Sequence, residues 1–222
     1  MKRYEKKYSY LPHIDQRIEF SILEQGFVLS YRPRLITSIY YDTPDFSLYT
    51  DSIRGYGIRN KLRARFYDLK NQCTFEKKVR AYDTGYKQSK DQIRISPIMH
   101  PVYYSDPVFN SSAELKIPAS LDLIYIPRLV ITYSRRYFIH SVKQDLRITL
   151  DAFIRHGRVA AGSLNHGSLT ADISAIAGRN VLEIKYSSKD ESFSSVGVSS
   201  FADINLINER HSKYCNAVNA LF

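Results

Sequence analysis

The chain has 222 residues, of which 24% are charged and 44% are hydrophobic, and it carries a formal net charge of +10 at pH 7. A chain of this length can bury a sizeable core, so we expect one domain over residues 1–222. The positive charge predicts an anionic partner, which charge alone leaves open between nucleic acid, an acidic membrane surface and a phosphorylated small molecule. The two cysteines, Cys73 and Cys215, are too few for a disulfide framework or a zinc site and fit a reducing compartment.

The beginning of the sequence has no apolar run of the kind found in signal peptides, because a strand pattern starts within the first few residues. No segment approaches the ~20 apolar residues that a membrane span requires. We therefore expect a soluble, cytoplasmic protein with no membrane span in this chain. A membrane-bound partner stays open.

Several segments alternate apolar with polar residues, as strands do, and others repeat apolar residues at helical spacing. In chain order, the pattern predicts a strand over 3–10, a helix over 12–25, a strand over 35–42, a short helix over 46–52, and strands over 59–67 and 74–80. A hairpin turn at 83–85 leads into a return strand, and further strands are predicted over 128–140, 145–154 and 180–187. An irregular excursion is predicted over 96–127, a loop with at most a short strand over 157–178, and a helical region from 201 onward.

Charged residues repeat along single faces of these strands. On the strand over 59–67, the cationic face carries Arg59, Lys61, Arg63 and Arg65, and the opposite face carries Leu62, Ala64 and Phe66. A polar face turned to solvent is the ordinary interpretation of one such strand. However, the step Glu-x-Lys occurs on three strands, in Glu5 with Lys7, Glu76 with Lys78 and Glu183 with Lys185. Solubility alone gives no reason for that repetition.

The strands show little βαβ rhythm, which favours an antiparallel sandwich or barrel. We expect a mainly antiparallel α+β fold: a closed eight-stranded tunnel barrel, with helices packed outside and a C-terminal helix at the mouth. In that arrangement the charged faces line a central passage that must hold water and a polyanion, because the like charges repel one another. The glutamates would also repel phosphate unless Mg²⁺ or Mn²⁺ lay between them. Cations together with a metal are what phosphoryl transfer needs.

Seven segments form an ordered set of motifs across nearly the whole chain. They are Arg3-Tyr4-Glu5-Lys6-Lys7-Tyr8, Lys61-Leu62-Arg63-Ala64-Arg65-Phe66-Tyr67, Phe75-Glu76-Lys77-Lys78, Tyr133-Ser134-Arg135, Leu146-Arg147-Ile148-Thr149-Leu150-Asp151, Val181-Leu182-Glu183-Ile184-Lys185-Tyr186 and Ser212-Lys213-Tyr214. The set resembles the motifs of the VTC domain, the polyphosphate polymerase branch of the triphosphate tunnel metalloenzymes and a relative of the CYTH phosphatases and cyclases. The last motif favours the polymerase branch.

The resemblance implies an enzyme that transfers the terminal phosphate of ATP to a growing inorganic polyphosphate, with Mn²⁺ or Mg²⁺ as a helper. It implies catalytic roles for Arg63, Arg65, Lys78, Arg135, Arg147 and Lys213. It implies that triphosphate and product are bound by Lys7, Lys87, Tyr133, Lys185, Arg210 and Ser212. The metal is expected on Glu183 first, with Glu5 and Glu76 as further candidates, and Glu5 alternatively pairs with Lys7 or Arg3.

Two other functions stay open at this point. With water as the phosphate acceptor, the chain would be a metal-dependent tripolyphosphatase or nucleoside triphosphatase. Without catalysis, it would be a polyphosphate-binding module. The pattern argues against nucleic acid as a partner, because the expected ligand face carries Arg, Lys and Glu in place of the exposed aromatic residues that stack bases.

Overall fold

The structure is a computed structural model that describes residues 3–68, 73–82, 84–93, 102–103, 124–159, 171–187, 201, 204–208 and 211–222. Main-chain contacts divide the chain into two compact units. Unit 1 consists of residues 1–35, 133–154 and 176–212, and unit 2 consists of residues 36–132, 155–175 and 213–222. The expectation of a single domain over residues 1–222 stays a prediction.

The described residues form eleven strands, three α-helices and one 3-10 turn. The strands are β1 (Arg3–Tyr10), β2 (Phe27–Asp42), β3 (Ile58–Tyr67), β4 (Cys73–Ala81), β5 (Thr84–Ile93), β6 (Val102–Tyr103), β7 (Ile124–His140), β8 (Arg147–Val159), β9 (Ala171–Ile176), β10 (Asn180–Ser187) and β11 (Ile207–Asn208). The helices are α1 (Asp15–Glu24), which follows a 3-10 turn at Pro12–Ile14, α2 (Ser47–Arg54) and α3 (Lys213–Leu221). No described helix has the length and apolar character needed to cross a membrane.

The strands belong to one sheet with a nine-strand path in the order β11-β1-β10-β8-β7-β2-β3-β4-β5, while β6 pairs with β7 and β9 with β8. The mainly antiparallel character is confirmed, but the closed eight-stranded barrel is wrong. Closure requires the two edge strands to pair. In the described part of the chain the path instead ends at β5 on one edge and at β11, only two residues long, on the other. Alternation of apolar and polar residues predicts strands, but it does not predict which strands pair at the edges of the sheet.

The helices pack against the apolar faces of the strands. Helix α1 packs its Ile18 and Ile22 on the apolar face of unit 1, among Tyr8, Tyr10, Phe27, Phe138, Leu146, Ile148, Leu150, Leu182 and Ile184. In unit 2, α2 packs Leu48 among Ile39, Tyr41, Leu62, Ala64, Phe66, Cys73, Phe75, Tyr125 and Val130. Helix α3 lies beside α2 in the same unit. The apolar faces predicted from the alternation are therefore the faces that form the two cores.

Most predicted elements are confirmed, and β10 has the predicted bounds. Three strands are longer than predicted: β2 begins at Phe27, β7 begins at Ile124 and β8 continues to Val159. The helical region expected from 201 onward is wrong at Ile207, which pairs with Ser9 as part of β11. Most of the excursion over 96–127 lies outside the described residues, as does half of the loop over 157–178, whose described part includes the end of β8 and the short strand β9.

Candidate functional site

In unit 2, the pairing of β3, β4 and β5 gathers three cations around one buried carboxylate. Arg63 lies directly opposite Glu76 across β3 and β4, and its Nε donates to Glu76 Oε2 at 2.5 Å. The other carboxylate oxygen, Oε1, lies 3.5 Å from Arg65 Nη1 and 3.1 Å from Lys87 Nζ. Three cations thus surround one carboxylate, so these four residues, which we call the Glu76 cluster, keep an excess of positive charge.

Glu76 is 2% exposed, so its charge depends on these partners. Burial would raise the pKa of its carboxyl group, but the charges of Arg63, Arg65 and Lys87 outweigh that effect and lower the pKa to about 2. Glu76 is therefore ionised at neutral pH and fixes the positions of the cations. All three cations lie within reach of its oxygens, so the carboxylate offsets part of their charge.

Two buried polar atoms beside the cluster have no hydrogen-bond partner among the described residues. They are Arg65 Nε and the hydroxyl oxygen of Ser38, and the two residues are directly opposed on β3 and β2. A buried donor without a partner costs about 1–3 kcal/mol. Both atoms can donate a hydrogen bond, so their surroundings favour an acceptor over a further donor.

A pair of stacked tyrosines connects this cluster with α3. The rings of Tyr40, on β2, and Tyr214, on α3, stack with centroids 5.2 Å apart and planes inclined by 17°. The Tyr40 hydroxyl accepts a hydrogen bond from Arg63 Nη1 at 3.1 Å. Burial would raise the pKa of Tyr40, but the charges of Arg63, Arg65 and Lys213 prevail and lower it. Lys213, the first residue of α3, therefore lies close enough to act on Tyr40 electrostatically.

In unit 1, the antiparallel pairing of β1 with β10 explains the repeated Glu-x-Lys step. Glu5 lies opposite Lys185, and Lys7 lies opposite Glu183, so each carboxylate faces a cation on the neighbouring strand. Lys185 Nζ lies 3.0 Å from Glu183 Oε1, and Lys7 Nζ lies 2.6 Å from Glu5 Oε1. Lys7 also donates to the main-chain oxygen of His211 at 3.4 Å. The same step on adjacent antiparallel strands thus yields a charge-matched patch.

Buried Arg135 joins that patch from β7. Its Nε and Nη2 donate to the two carboxylate oxygens of Asp151 at 2.5 and 2.6 Å, a two-pronged ion pair. Its Nη2 also lies 3.8 Å from Glu183 Oε2, which accepts at 3.5 Å from the hydroxyl of Thr149. Burial opposes the charge of Arg135, yet Asp151 and Glu183 raise the pKa of the guanidinium above its ordinary value.

Glu183 is the buried carboxylate of this patch, at 7% exposure. Burial would raise its pKa, but Lys185, Lys7, Arg135 and a hydrogen bond shared with Glu5 lower it well below the ordinary range. Glu5 and Glu183 occupy diagonal positions on the same face of the paired strands β1 and β10. Among the described residues, no group of three or more His, Cys, Asp or Glu side chains is arranged to hold a metal. A metal here would need ligands from its substrate as well.

The other predicted site residues lie on the same two sets of strands or beside them. Lys78 is opposite Lys87 on the exposed part of β4 and β5, and Tyr133 is buried with its ring 5.3 Å from the Arg135 guanidinium carbon. Arg147 is exposed opposite Lys185, and Ser212 directly precedes α3. Arg210 lies outside the described residues.

Sequence reasoning missed several residues of these clusters. Asp151 had a signal, because it alternates with Arg147 and Thr149 on one face of β8. Asp42 was predicted only as the last residue of the strand over 35–42. Nothing in the sequence pairs Tyr40 with Tyr214, because a contact between residues so far apart in the chain follows only from packing.

The chain belongs to the VTC domain family: the model of the VTC domain matches residues 2–222. A comparison with curated proteins found no match. Family membership therefore comes from the family model and not from a close relative.

Solved structures show where the same fold occurs. One is a putative adenylyl cyclase from Hippeastrum described as revealing a dominant triphosphatase activity, with a TM-score of 0.56, 13% identity, and coverage of 100% of this chain and 97% of that chain. Another is a putative adenylate cyclase from Bacillus halodurans, with a TM-score of 0.56, 14% identity and 100% coverage of both chains. A third, from Vibrio parahaemolyticus, has a TM-score of 0.51 at 12% identity and covers 99% of each chain. At these identities the likeness concerns the fold alone.

Proposed function

We propose that the chain is a divalent-metal-dependent phosphotransferase that moves the γ-phosphate of ATP onto a growing inorganic polyphosphate. Membership of the VTC domain family supports this reading. The observation that carries it is the Glu76 cluster, in which Arg63, Arg65 and Lys87 surround a single buried carboxylate. An excess of fixed positive charge on a sheet face is what a chain of phosphates requires.

In unit 2, the Glu76 cluster binds phosphate oxygens. Arg63 and Arg65 offer planar guanidinium groups, which suit phosphate, and Lys87 and Lys78 add mobile point charges. Glu76 holds these cations in place, since its two oxygens face all three of them, and the proposal assigns the metal to the carboxylates of unit 1. Lys213 adds a further cation from the first turn of α3.

In unit 1, the paired carboxylates of Glu183 and Glu5 fit a hard divalent cation. Mg²⁺ is usually held by one or two carboxylates together with substrate phosphates and water, and not by a complete protein cage. Within the part of the chain that the structure describes, Glu5 and Glu183 belong to no group of three or more His, Cys, Asp or Glu side chains, so they match that mode and not a structural zinc site. When bound, Mg²⁺ or Mn²⁺ would neutralise negative charge on the phosphates. In this proposal Arg135, Arg147, Lys7 and Lys185 of unit 1 also contact phosphate oxygens, with Tyr133 supporting Arg135.

The proposed reaction is an in-line displacement. A terminal oxygen of the acceptor polyphosphate attacks the γ-phosphorus of ATP, the bond from that phosphorus to the β-γ bridging oxygen breaks, and ADP leaves. The acceptor grows by one phosphate, and no oxidant or reductant is involved. The side chains contribute by aligning the two anions and offsetting their repulsion, which is the main source of catalysis in phosphoryl transfer.

Hydrolysis is the second candidate, and one observation favours it: the Hippeastrum protein of the same fold is described by its triphosphatase activity. With water in place of polyphosphate, the same displacement would release orthophosphate. Incubation of the full chain with ATP and Mn²⁺, followed by a urea gel, separates the two reactions. A ladder of lengthening products supports the polymerase, and orthophosphate alone supports the hydrolase.

Binding without turnover is distinguished in the same experiment. A chain that binds tripolyphosphate by calorimetry but forms neither a ladder nor orthophosphate is a binding module, and the proposed transferase is then wrong. Arg63→Ala is expected to abolish product formation, and Arg17→Ala, which removes an exposed arginine from α1, serves as the matched control. Equal activity in the two variants would remove the Glu76 cluster from the site.

A further inference from the structure

Within unit 2, the buried carboxylate of Asp42 ties the end of β2 to two helices. Its Oδ1 accepts hydrogen bonds from the main-chain N–H groups of Thr43 at 2.8 Å and Leu48 at 2.9 Å. Its Oδ2 accepts one from the N–H of Tyr49 at 3.0 Å and another from the hydroxyl of Tyr214. Asp42 is fully buried, so these contacts replace its hydration. One side chain therefore supports the first turn of α2 and the first turn of α3.

Tyr214 is held at both its ring and its hydroxyl. The hydroxyl donates to Asp42, and the ring stacks on Tyr40, which in turn accepts a hydrogen bond from Arg63. Tyr214 is 2% exposed. The first turn of α3 can neither rotate nor slide without losing one of these two contacts. Its position relative to Arg63 is therefore fixed.

Lys213 directly precedes Tyr214 and shares this fixed turn. Its charge acts on two buried groups nearby: together with burial it lowers the pKa of His156, and together with the arginines it lowers that of Tyr40. Lys213 begins the same turn of α3 in which the Tyr214 ring stacks on Tyr40, and Tyr40 accepts a hydrogen bond from Arg63 of the Glu76 cluster. Because a lysine side chain is flexible, its backbone must be held if the charge is to stay there.

We infer that Asp42 and Tyr214 are positioning residues that hold Lys213 beside the Glu76 cluster, where it meets the phosphate chain. The inference rests on the proposed function, which supplies the phosphate that Lys213 would contact. It adds a role for two residues that touch no phosphate themselves. The role is to fix a flexible cation through a hydrogen bond between residues 172 positions apart.

The test is a double-mutant cycle with tripolyphosphate as the probe, measured by calorimetry on the full chain at constant ionic strength. We expect Lys213→Ala and Tyr214→Phe each to weaken binding by about tenfold, the effect of losing or misplacing one charge-assisted hydrogen bond. In the Lys213→Ala background, Tyr214→Phe should have no further effect. Tyr49→Phe is the matched control, because it also removes a hydroxyl that α3 uses, at Asn219, but far from Lys213.

A substitution of the other partner, Asp42, tests the same hydrogen bond without changing Tyr214. Asn at position 42 offers one acceptor oxygen where the carboxylate offers two. Asp42→Asn should therefore weaken tripolyphosphate binding on its own and have no further effect in the Lys213→Ala background. Thermal unfolding of every variant sets an assay temperature at which all are folded. Additive losses in the cycle, or an equal loss in Tyr49→Phe, would overturn the positioning role. Absence of tripolyphosphate binding by the unaltered chain would instead overturn the proposed function, and the inference with it.

Discussion

Arg63 and Glu76 face each other across β3 and β4, with Nε 2.5 Å from Oε2, and the carboxylate is almost fully buried while the guanidinium is partly exposed. The Glu76 carboxylate is therefore held inside the protein, while the Arg63 guanidinium reaches toward the surface. A buried carboxylate that holds several cations stabilises the fold and also organises positive charge for a ligand. Both consequences can be measured separately.

Glu76 should make stability depend on pH in the acid range. Its pKa is about 2 in the folded chain and about 4.5 in the unfolded chain, so its stabilising effect is complete above the higher value and is lost as the pH falls toward 2. The loss should reach about 3 kcal/mol in the free energy of unfolding. Urea unfolding between pH 6 and pH 2 measures it. Glu76→Gln should remove that part of the pH dependence, whereas Glu24→Gln, an exposed carboxylate on α1, should leave it unchanged.

Loss of cations from the Glu76 cluster should weaken phosphate binding more than it affects folding. We expect Lys87→Ala, which truncates a side chain that is 52% exposed, to weaken tripolyphosphate binding several-fold and leave the melting temperature nearly unchanged. Calorimetry at low and at high salt should show that the two chains differ less in their affinity for tripolyphosphate at high salt, because salt screens the charges. A variant that binds as tightly as the unaltered chain at low salt would exclude Lys87 from the phosphate site.

Glu183 should be needed for metal binding, and Glu76 should not. Mn²⁺ binding in the presence of tripolyphosphate can be followed by electron paramagnetic resonance without any turnover. Glu183→Gln should remove the bound signal, and Glu5→Gln should weaken it, because Glu5 is the more exposed of the two carboxylates. Glu24→Gln serves as the control. Retention of the full signal in Glu183→Gln would place the metal elsewhere.

The ion pair of Arg135 with Asp151 should contribute strongly to stability. Asp151→Asn leaves a buried guanidinium without its counter-charge, and such losses cost about 3–5 kcal/mol. Urea unfolding at pH 7 measures the change, with the exposed Asp45→Asn as the control. A cost near zero would mean that Glu183 alone can compensate Arg135.

The hydrophobic core of unit 1 offers a test that separates folding from binding. Leu182 is fully buried on the apolar face of β10, directly beside Glu183 in sequence but on the opposite side of the sheet. Leu182→Ala should cost about 2–5 kcal/mol. The affinity of the folded Leu182→Ala variant for tripolyphosphate should stay within about a factor of two of that of the unaltered chain, because Leu182 touches no residue proposed to bind phosphate. A large loss of affinity would show that the two faces are coupled.

The family motifs and the strand alternation predicted much of this molecule from the chain alone. A period of two assigns Arg63 and Arg65 to one face and Leu62 and Ala64 to the other, because side chains on a strand alternate. Likewise, the bounds of β1 and β10 follow from their alternation and turn residues. The repeated Glu-x-Lys step also indicated that charges would meet, although it did not state the register that pairs Glu5 with Lys185.

The alternation along each strand did not predict which strands lie at the sheet edges or which distant residues are in contact. The sequence determined which face of each strand is charged and where most elements begin and end, since these depend on neighbouring residues. Tertiary structure alone decided that the sheet path of the described strands ends at β5 and β11 without closing, that Asp151 holds Arg135, and that Asp42 holds Tyr214. Those outcomes depend on which distant segments pack together, and local periodicity does not encode that choice.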